Sequence, residues 1–178
     1  MAASLVLASA DYAESYVEAL REGFRRGDQP ARKPGEIKAI EADFDAFLVE
    51  RTRQTGDVLL PDGTLIPKVP FDVCWLVDGE TFIGEAGIRY RLNDFLLQIG
   101  GHVGYGIRPS FQQRGYGTLI LKLALDRLRA CGIDRALVTC YDHNVASARV
   151  IEANGGVFEN LIDDPRGGGK SRRYWIEL

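Results

Sequence analysis

Gly100–Leu125 reads GGHVGYGIRPSFQQRGYGTLILKLAL, and its reading decides the fold. Six of its first eighteen residues are glycine; then the glycines stop and a leucine-rich run begins. Ile120, Leu121, Ala124, Leu125 and Leu128 recur at helical spacing over Thr118–Ala130, and Gly132 ends that helix. A strand precedes it and ends near Pro109. Helix N-termini present unpaired N–H groups and a partial positive charge. Small residues at such a turn let an anion reach those groups, so Gln112–Gly117 is a candidate pyrophosphate site. The competing reading is a tight turn that needs glycine for its dihedrals alone.

Upstream, FDVCWLVD, ETFIGEAGIRYRL and FLLQIGGHVGYGIRP read as three strands, with hairpin turns at Asp78-Gly79 and Asn93-Asp94. Downstream come a strand (RALVTCY), a short helix (NVASARVIEAN) closed by Gly155-Gly156, and two final strands (VFENLI and RRYWIEL). The N-terminal region begins with a strand, SLVLAS. A helix capped by Asp11 follows, and then a second helix carrying Ile37, Ile40, Phe44, Phe47 and Leu48 on one face. PDGTLIPKVP reads as a loop or edge segment. The expected fold is α/β in the α+β sense: a mixed, mostly antiparallel sheet of six to seven strands with helices on both faces. No repeat and no internal boundary divides it, so residues 1–178 are expected to form one domain.

The chain has 178 residues, 46% hydrophobic and 26% charged, with net charge −3. That balance argues against nucleic acid or an anionic membrane as the main partner. No uncharged run approaches the ~20 residues that span a bilayer. MAASLVLASA imitates a short signal peptide, but no Lys or Arg precedes its apolar part, which is only Leu5–Ala8. A first strand in a cytoplasmic protein is the preferred reading. Cys74, Cys131 and Cys140 are odd in number and spaced for neither disulfides nor zinc; they are expected to be buried free thiols, and no metal is expected.

Two nucleotide motifs fail. Gly104-x-Gly106 lacks the third glycine of the dinucleotide fingerprint. GGGKS (Gly167–Ser171) resembles the end of a Walker A loop, but Asp164 stands where that loop needs glycine, and a strand-like run follows.

Gln112-x-x-Gly115-x-Gly117 resembles the Q/R-x-x-G-x-G/A signature of the GNAT superfamily of acyl-CoA-dependent N-acetyltransferases. The strand before it and the amphipathic helix after it agree. Twenty-seven residues beyond Gly117, NVASARVIEANGG resembles the family's second cofactor segment, in which an Asn opens a short helix. The likeness is specific over about Gly100–Gly156 and extends in element order over Phe71–Leu178.

The resemblance implies acetyl-CoA as co-substrate. Gln112 opens the signature. Backbone N–H groups of Gln113, Arg114, Gly115, Tyr116, Gly117 and Thr118 would hold the pyrophosphate, and Arg114 would add charge. Tyr105, Gly106 and Ile107 would pair with the pantetheine amides as an added strand does. Asn144 and Ser147 would contact the same arm, although Asn144 is equally a helix N-cap. The family's splayed strands would here be Gly101–Ile107 and Ala136–Tyr141, with the arm in the gap.

One position departs from the family pattern. The tyrosine that protonates the departing thiolate stands seven residues after the Asn, and here that residue is Ile151. Tyr141 is the best substitute acid and Tyr105 a weaker one. His102 is a candidate base, or else a brace in the cleft wall. Cys140 belongs to the core rather than to catalysis. Glu85 and Arg89 lie where the family often binds acceptors, though a solvated sheet face would also explain them. The implied reaction is direct attack of a primary amine on the thioester, most simply that of a small molecule. The alternative is a non-catalytic module that senses acyl-CoA. Monomer and homodimer are both open.

Overall fold

The computed structural model describes residues 3–27, 29–60, 62–166 and 169–178. Gly167 and Gly168 of GGGKS, together with Met1, Ala2, Asp28 and Pro61, lie outside the described residues. The first half of the chain runs β1 (Ser4–Leu7), α1 (Ala13–Arg21), α2 (Pro34–Ala42), α3 (Phe44–Thr52), β2 (Asp57–Leu59), β3 (Leu65–Pro67), β4 (Phe71–Asp78) and β5 (Thr81–Arg89). The second half runs α4 (Asp94–Gln98), β6 (Val103–Ile107), α5 (Tyr116–Ala130), β7 (Arg135–Tyr141), α6 (Val145–Ala153), β8 (Val157–Asp163) and β9 (Lys170–Glu177).

Seven strands form two antiparallel half-sheets, β1-β4-β5-β6 and β7-β9-β8, while β2 and β3 pair separately as a hairpin. β4 is apolar on both faces, and so it supplies two cores. Val73, Trp75 and Val77 face α1 and α2, where Tyr16 stacks on Trp75 with ring centroids 4.7 Å apart. Cys74 and Leu76 face α5, whose Ile120, Leu121, Ala124 and Leu128 are fully buried. Helices therefore cover both faces, as the patterning requires.

The half-sheets touch at one end and separate along the rest of β6 and β7. Where they touch, the His102 N–H donates to Leu137 O at 2.7 Å and the Leu137 N–H donates to His102 Nδ1 at 2.9 Å. Beside this clasp, Gly101 holds φ of +56°, and a Cβ there would collide with the Leu137 carbonyl. That glycine exists for chain packing.

Several expectations need correction. Asp11 caps no α-helix: Ser9 accepts from its N–H at the head of a 3-10 turn, and α1 starts at Ala13. The expected second helix is two, broken at Asp43 (φ −145°, ψ 76°), whose side chain caps α3. Asn93-Asp94 makes no hairpin turn; Asn93 accepts from the Leu96 N–H and starts α4, so the third strand begins only at Val103. PDGTLIPKVP contributes β3 to the β2–β3 hairpin. Cys131 is exposed at the end of α5, whereas Cys74 and Cys140 are buried as expected. No helix among the described residues is long and apolar enough to cross a membrane.

Candidate active site

A groove of about 560 Å³ opens where β6 parts from β7. Its floor is Tyr105, Gly106 and Ile107; one end is Gln112, Gln113, Gly115, Gly117 and Thr118; its far wall is Asn144, Ala146, Ser147 and Val150 of α6. Segments from two distant parts of the sequence thus meet along one channel.

The turn into α5 is built to expose N–H groups. Gln113 is the one non-glycine with positive φ (59°) among the described residues, and Gly115 follows at φ 83°. Left-handed backbone is costly for glutamine and persists only where the surroundings enforce it. α3, α4 and α6 are capped by the side chains of Asp43, Asn93 and Asn144, but the Gly115 cap of α5 has none, and its first turn carries no acid. The orphan N–H groups and the dipole end of a fifteen-residue helix face the groove. The Gln112 side chain is used otherwise: Nε2 donates to Ile107 O at 3.1 Å.

The glycines of the opening stretch divide by purpose. A Cβ at Gly104 or Gly115 would meet open space, and one at Gly117 would press on Val150 of α6 at 3.2 Å. Gly106 is small because the backbone of Arg25 crosses over it. Gly27 in that crossing segment donates its N–H to Tyr105 O at 3.0 Å. The carbonyls of Tyr105 and Ile107, two expected pantetheine partners, are therefore already engaged. Arg114 and Tyr116 do not line the groove; both pack on Phe111, with the guanidinium 5.5 Å and the phenol ring 5.9 Å from its centroid.

Asn144 caps α6, its Oδ1 accepting from the Ser147 N–H at 3.0 Å, and its NH2 end makes no hydrogen bond among the described residues. The Tyr105 hydroxyl donates to Ser147 Oγ at 3.4 Å, and burial pushes its pKa up to about 12. Ile151, at the position of the family's tyrosine, is fully buried in the core.

A second cavity, about 450 Å³, continues from the parting of the half-sheets and is lined by Gly100, Val103, Gly104, Thr139, Cys140, Tyr141, Arg26, Arg89 and Arg166 among others. Tyr141 reaches it half-buried, stacked on His143 at 5.3 Å and under the Arg166 guanidinium at 5.2 Å. His102, expected here as base or brace, has spent the Nδ1 lone pair on Leu137. A neutral ring bonded this way carries its proton on Nε2 and has no free basic nitrogen. Burial, aided by the Arg89 charge, holds its pKa below the ordinary value. The geometry is that of a brace.

Glu85 and Arg89, expected together at the acceptor end, stand in different surroundings. Glu85 is fully buried and saturated: Oε1 accepts from Arg51 and lies 3.2 Å from Arg26, and Oε2 accepts from Trp75 Nε1 at 3.1 Å. It is a counter-ion beneath the site, out of reach of an acceptor. Arg89 instead faces the open space.

A third cavity of about 450 Å³ shares Arg26 and Arg89 with the second. α3, α4 and the β2–β3 hairpin enclose it through Phe47, Arg51, Phe95, Leu96, Val58 and Ile66. Arg26, Arg51 and this hairpin were not anticipated, since only the tertiary fold gathers them around Glu85.

A model of the acetyltransferase (GNAT) domain matches residues 62–157, more than half of the chain. No curated protein matches in sequence. Solved structures share the fold at low identity. RimJ of Mycobacterium smegmatis, in complex with CoA-disulfide, is 15% identical with a TM-score of 0.69, covering 99% of this chain and 82% of its own. The aminoglycoside acetyltransferase AAC(6')-Ib, with ribostamycin and coenzyme A, is 10% identical with a TM-score of 0.64, covering 99% and 94%. RimL, a ribosomal L7/L12 α-N-protein acetyltransferase in complex with coenzyme A, is 15% identical with a TM-score of 0.63, covering 99% and 94%. The matched segment takes in β4 to α6, including the uncapped turn and the Asn-led helix, and the chain belongs to the GNAT acetyltransferases, enzymes that use acetyl-CoA as acyl donor.

Proposed function

We propose that the protein transfers the acetyl group of acetyl-CoA to a primary amine of a small molecule by direct attack. The observation that carries this reading is the adjacency of two spaces that share Gly27 in their linings: the groove at the uncapped turn into α5 and the cavity at the parting of β6 and β7. In this reading Gln113–Thr118 hold the pyrophosphate with backbone N–H groups, and Thr118 lines the groove with its side chain. The Asn144 amide and Ser147 flank the pantetheine arm. The arm takes N–H groups of β6, or displaces Gly27 from the Tyr105 carbonyl. The thioester then reaches Tyr141 and the second cavity.

The amine must be neutral to attack. Among the described residues the second cavity is lined by Arg26, Arg89 and Arg166 and by no carboxylate. Neighbouring cations favour the uncharged amine, so the site itself promotes deprotonation and water can carry the proton away. The amine nitrogen forms a bond to the carbonyl carbon and sheds its surplus proton, the C–S bond breaks, and the thiolate takes a proton from a donor that water then reprotonates. Tyr141 is the proposed donor. Tyr105, whose hydroxyl is engaged with Ser147 and whose proton is held by burial, orients the arm instead. A sensor of acyl-CoA would need only the groove; the adjoining cavities favour transfer. The two cores share β4 and β5, which supports treating residues 1–178 as one domain.

Free-thiol release from acetyl-CoA in the presence of a panel of amines tests the reaction. Calorimetric binding of coenzyme A without thiol release from any amine would reject transfer and leave the sensor.

A further inference from the structure

We propose that the acceptor is a small primary amine bearing its own carboxylate, and that Arg89, flanked by Arg51 and Arg26, receives that carboxylate. The inference rests on the acetyl-transfer reading and adds the substrate class.

The charge around the third cavity is lopsided. Among the described residues its lining holds Arg26, Arg32, Arg51, Lys68 and Arg89 against a single carboxylate, Glu50, while Arg32 pairs outside the lining with Glu36 at 3.0 Å. Glu50 already pairs with Arg53 at 2.6 Å. Glu85 lies beneath and compensates one charge, but it is shared by Arg26 and Arg51. Arg89 has no carboxylate partner among the described residues; its Nη1 donates only to the carbonyls of Gly101 at 3.0 Å and Gly100 at 3.4 Å. Burial and the charges of Arg26 and Arg166 pull its pKa down to about 10. The Nε of Arg51 is buried without a hydrogen-bond partner among the described residues. Buried cationic donors left in this state are satisfied by an anion. A guanidinium offers a planar pair of donors that matches a carboxylate.

Position narrows the class further. Arg89 lines both cavities, so a carboxylate on it sits beside the space where the thioester is attacked. An amine one carbon away from that carboxylate, as in an α-amino acid, falls at the junction. The rest of the third cavity is apolar, with Phe47, Val58, Ile66, Phe71, Phe95 and Leu96, and suits a hydrophobic side chain. A polycation would meet an excess of like charge there, since Glu85 offsets only one of Arg26, Arg51 and Arg89.

The test uses the full chain with saturating acetyl-CoA and matched pairs: L-phenylalanine against phenethylamine and L-phenylalanine methyl ester, and L-leucine against 3-methylbutylamine. Spermidine, kanamycin, O-phosphoethanolamine and a short peptide with an acidic N-terminus complete the panel. The carboxylated member of each pair should show kcat/KM at least about tenfold higher, the scale of one charge-assisted bidentate contact. Arg89→Gln should shrink that ratio towards one, chiefly through KM for the amino acid. Calorimetry of coenzyme A binding to the variant reports its folding, and the methyl-ester comparison needs no variant. Equal or better reaction of the decarboxylated amines overturns the proposal while leaving acetyl transfer standing, as does preference for the polycations, the phosphate amine or the peptide. An unchanged ratio in folded Arg89→Gln also overturns it. Release of no thiol from any amine, with coenzyme A bound, overturns both readings.

Discussion

His102 separates a braced site from an imidazole-driven one. Its Nδ1 accepts from the N–H of Leu137, a residue with no exposed surface, at 2.9 Å. His102→Ala would leave that N–H without a partner, which costs about 1–3 kcal/mol. The lost packing of a ring that is 8% exposed adds to this, for a total of roughly 2–4 kcal/mol. In a chain of this size each kcal/mol moves the melting temperature by about 2–4 °C. His102→Asn puts an amide oxygen near the position of Nδ1 and keeps the acceptor. Denaturant melts and full pH–rate curves on both variants form the assay. The alanine variant should melt well below wild type and lose activity in proportion to the loosened junction. The asparagine variant should recover most of the stability and most of the rate, with the wild-type pH profile.

The same bond sets a pH dependence of stability. The ring's pKa is lowered in the folded state, so the unfolded chain binds the proton more readily. Stability from this group is complete above the unfolded value of about 6.5 and declines as pH falls through the folded value. His102→Asn should lack that component of acid destabilisation. A stable asparagine variant with a rate loss of a hundredfold, confined to pH below the amine's own titration, would sink the brace and restore the base.

Other substitutions probe the remaining parts. Thr118→Glu sets a charge beside the pyrophosphate; two like charges about 5 Å apart at an effective dielectric of 20 repel by about 3 kcal/mol. With screening, calorimetry should show coenzyme A bound roughly 10- to 100-fold more weakly, and unchanged affinity would remove the groove reading. This position is cleaner than Gly117, where any side chain also presses on Val150. Asn144→Asp keeps the cap and loses the amide donor, so stability should hold while KM for acetyl-CoA rises severalfold. Tyr141→Phe should lower kcat by about tenfold with little change in KM for acetyl-CoA, whereas Tyr105→Phe should act mainly on that KM; the reverse pattern would exchange their roles. Glu85→Gln strands two buried guanidinium groups and should cost about 3–5 kcal/mol in a denaturant melt.

What could be read along the chain was set by local chemistry. The apolar face of α5, the cap at Asn144 and the glycine stop at Gly132 each follow from spacing or backbone freedom within a few residues. Asn93 shows where that runs out. An asparagine that accepts from a nearby N–H serves a hairpin turn or a helix cap with the same atoms, and only packing decides. Gly101 is expected on a splayed strand and Gly106 along the pantetheine arm, yet the two are small because of the Leu137 carbonyl and the Arg25 backbone. Those obstacles lie 36 and 81 positions away, beyond any local pattern.

The acceptor site was the least legible part for the same reason. Arg26 comes from the segment after α1, Arg51 from α3, and Glu85 and Arg89 from β5. In sequence, Glu85 and Arg89 look alike: charged, four residues apart on one face of a strand, and equally suited to solvent. The fold gives Glu85 two guanidinium partners and an indole donor and, among the described residues, gives Arg89 only carbonyls. A saturated charge is structural, because any ligand must first break what holds it. An unsatisfied one beside an open cavity is available for binding. Which of two neighbouring charges can act therefore depends on partners drawn from elsewhere in the chain, and the proposed carboxylate-bearing acceptor rests on that difference.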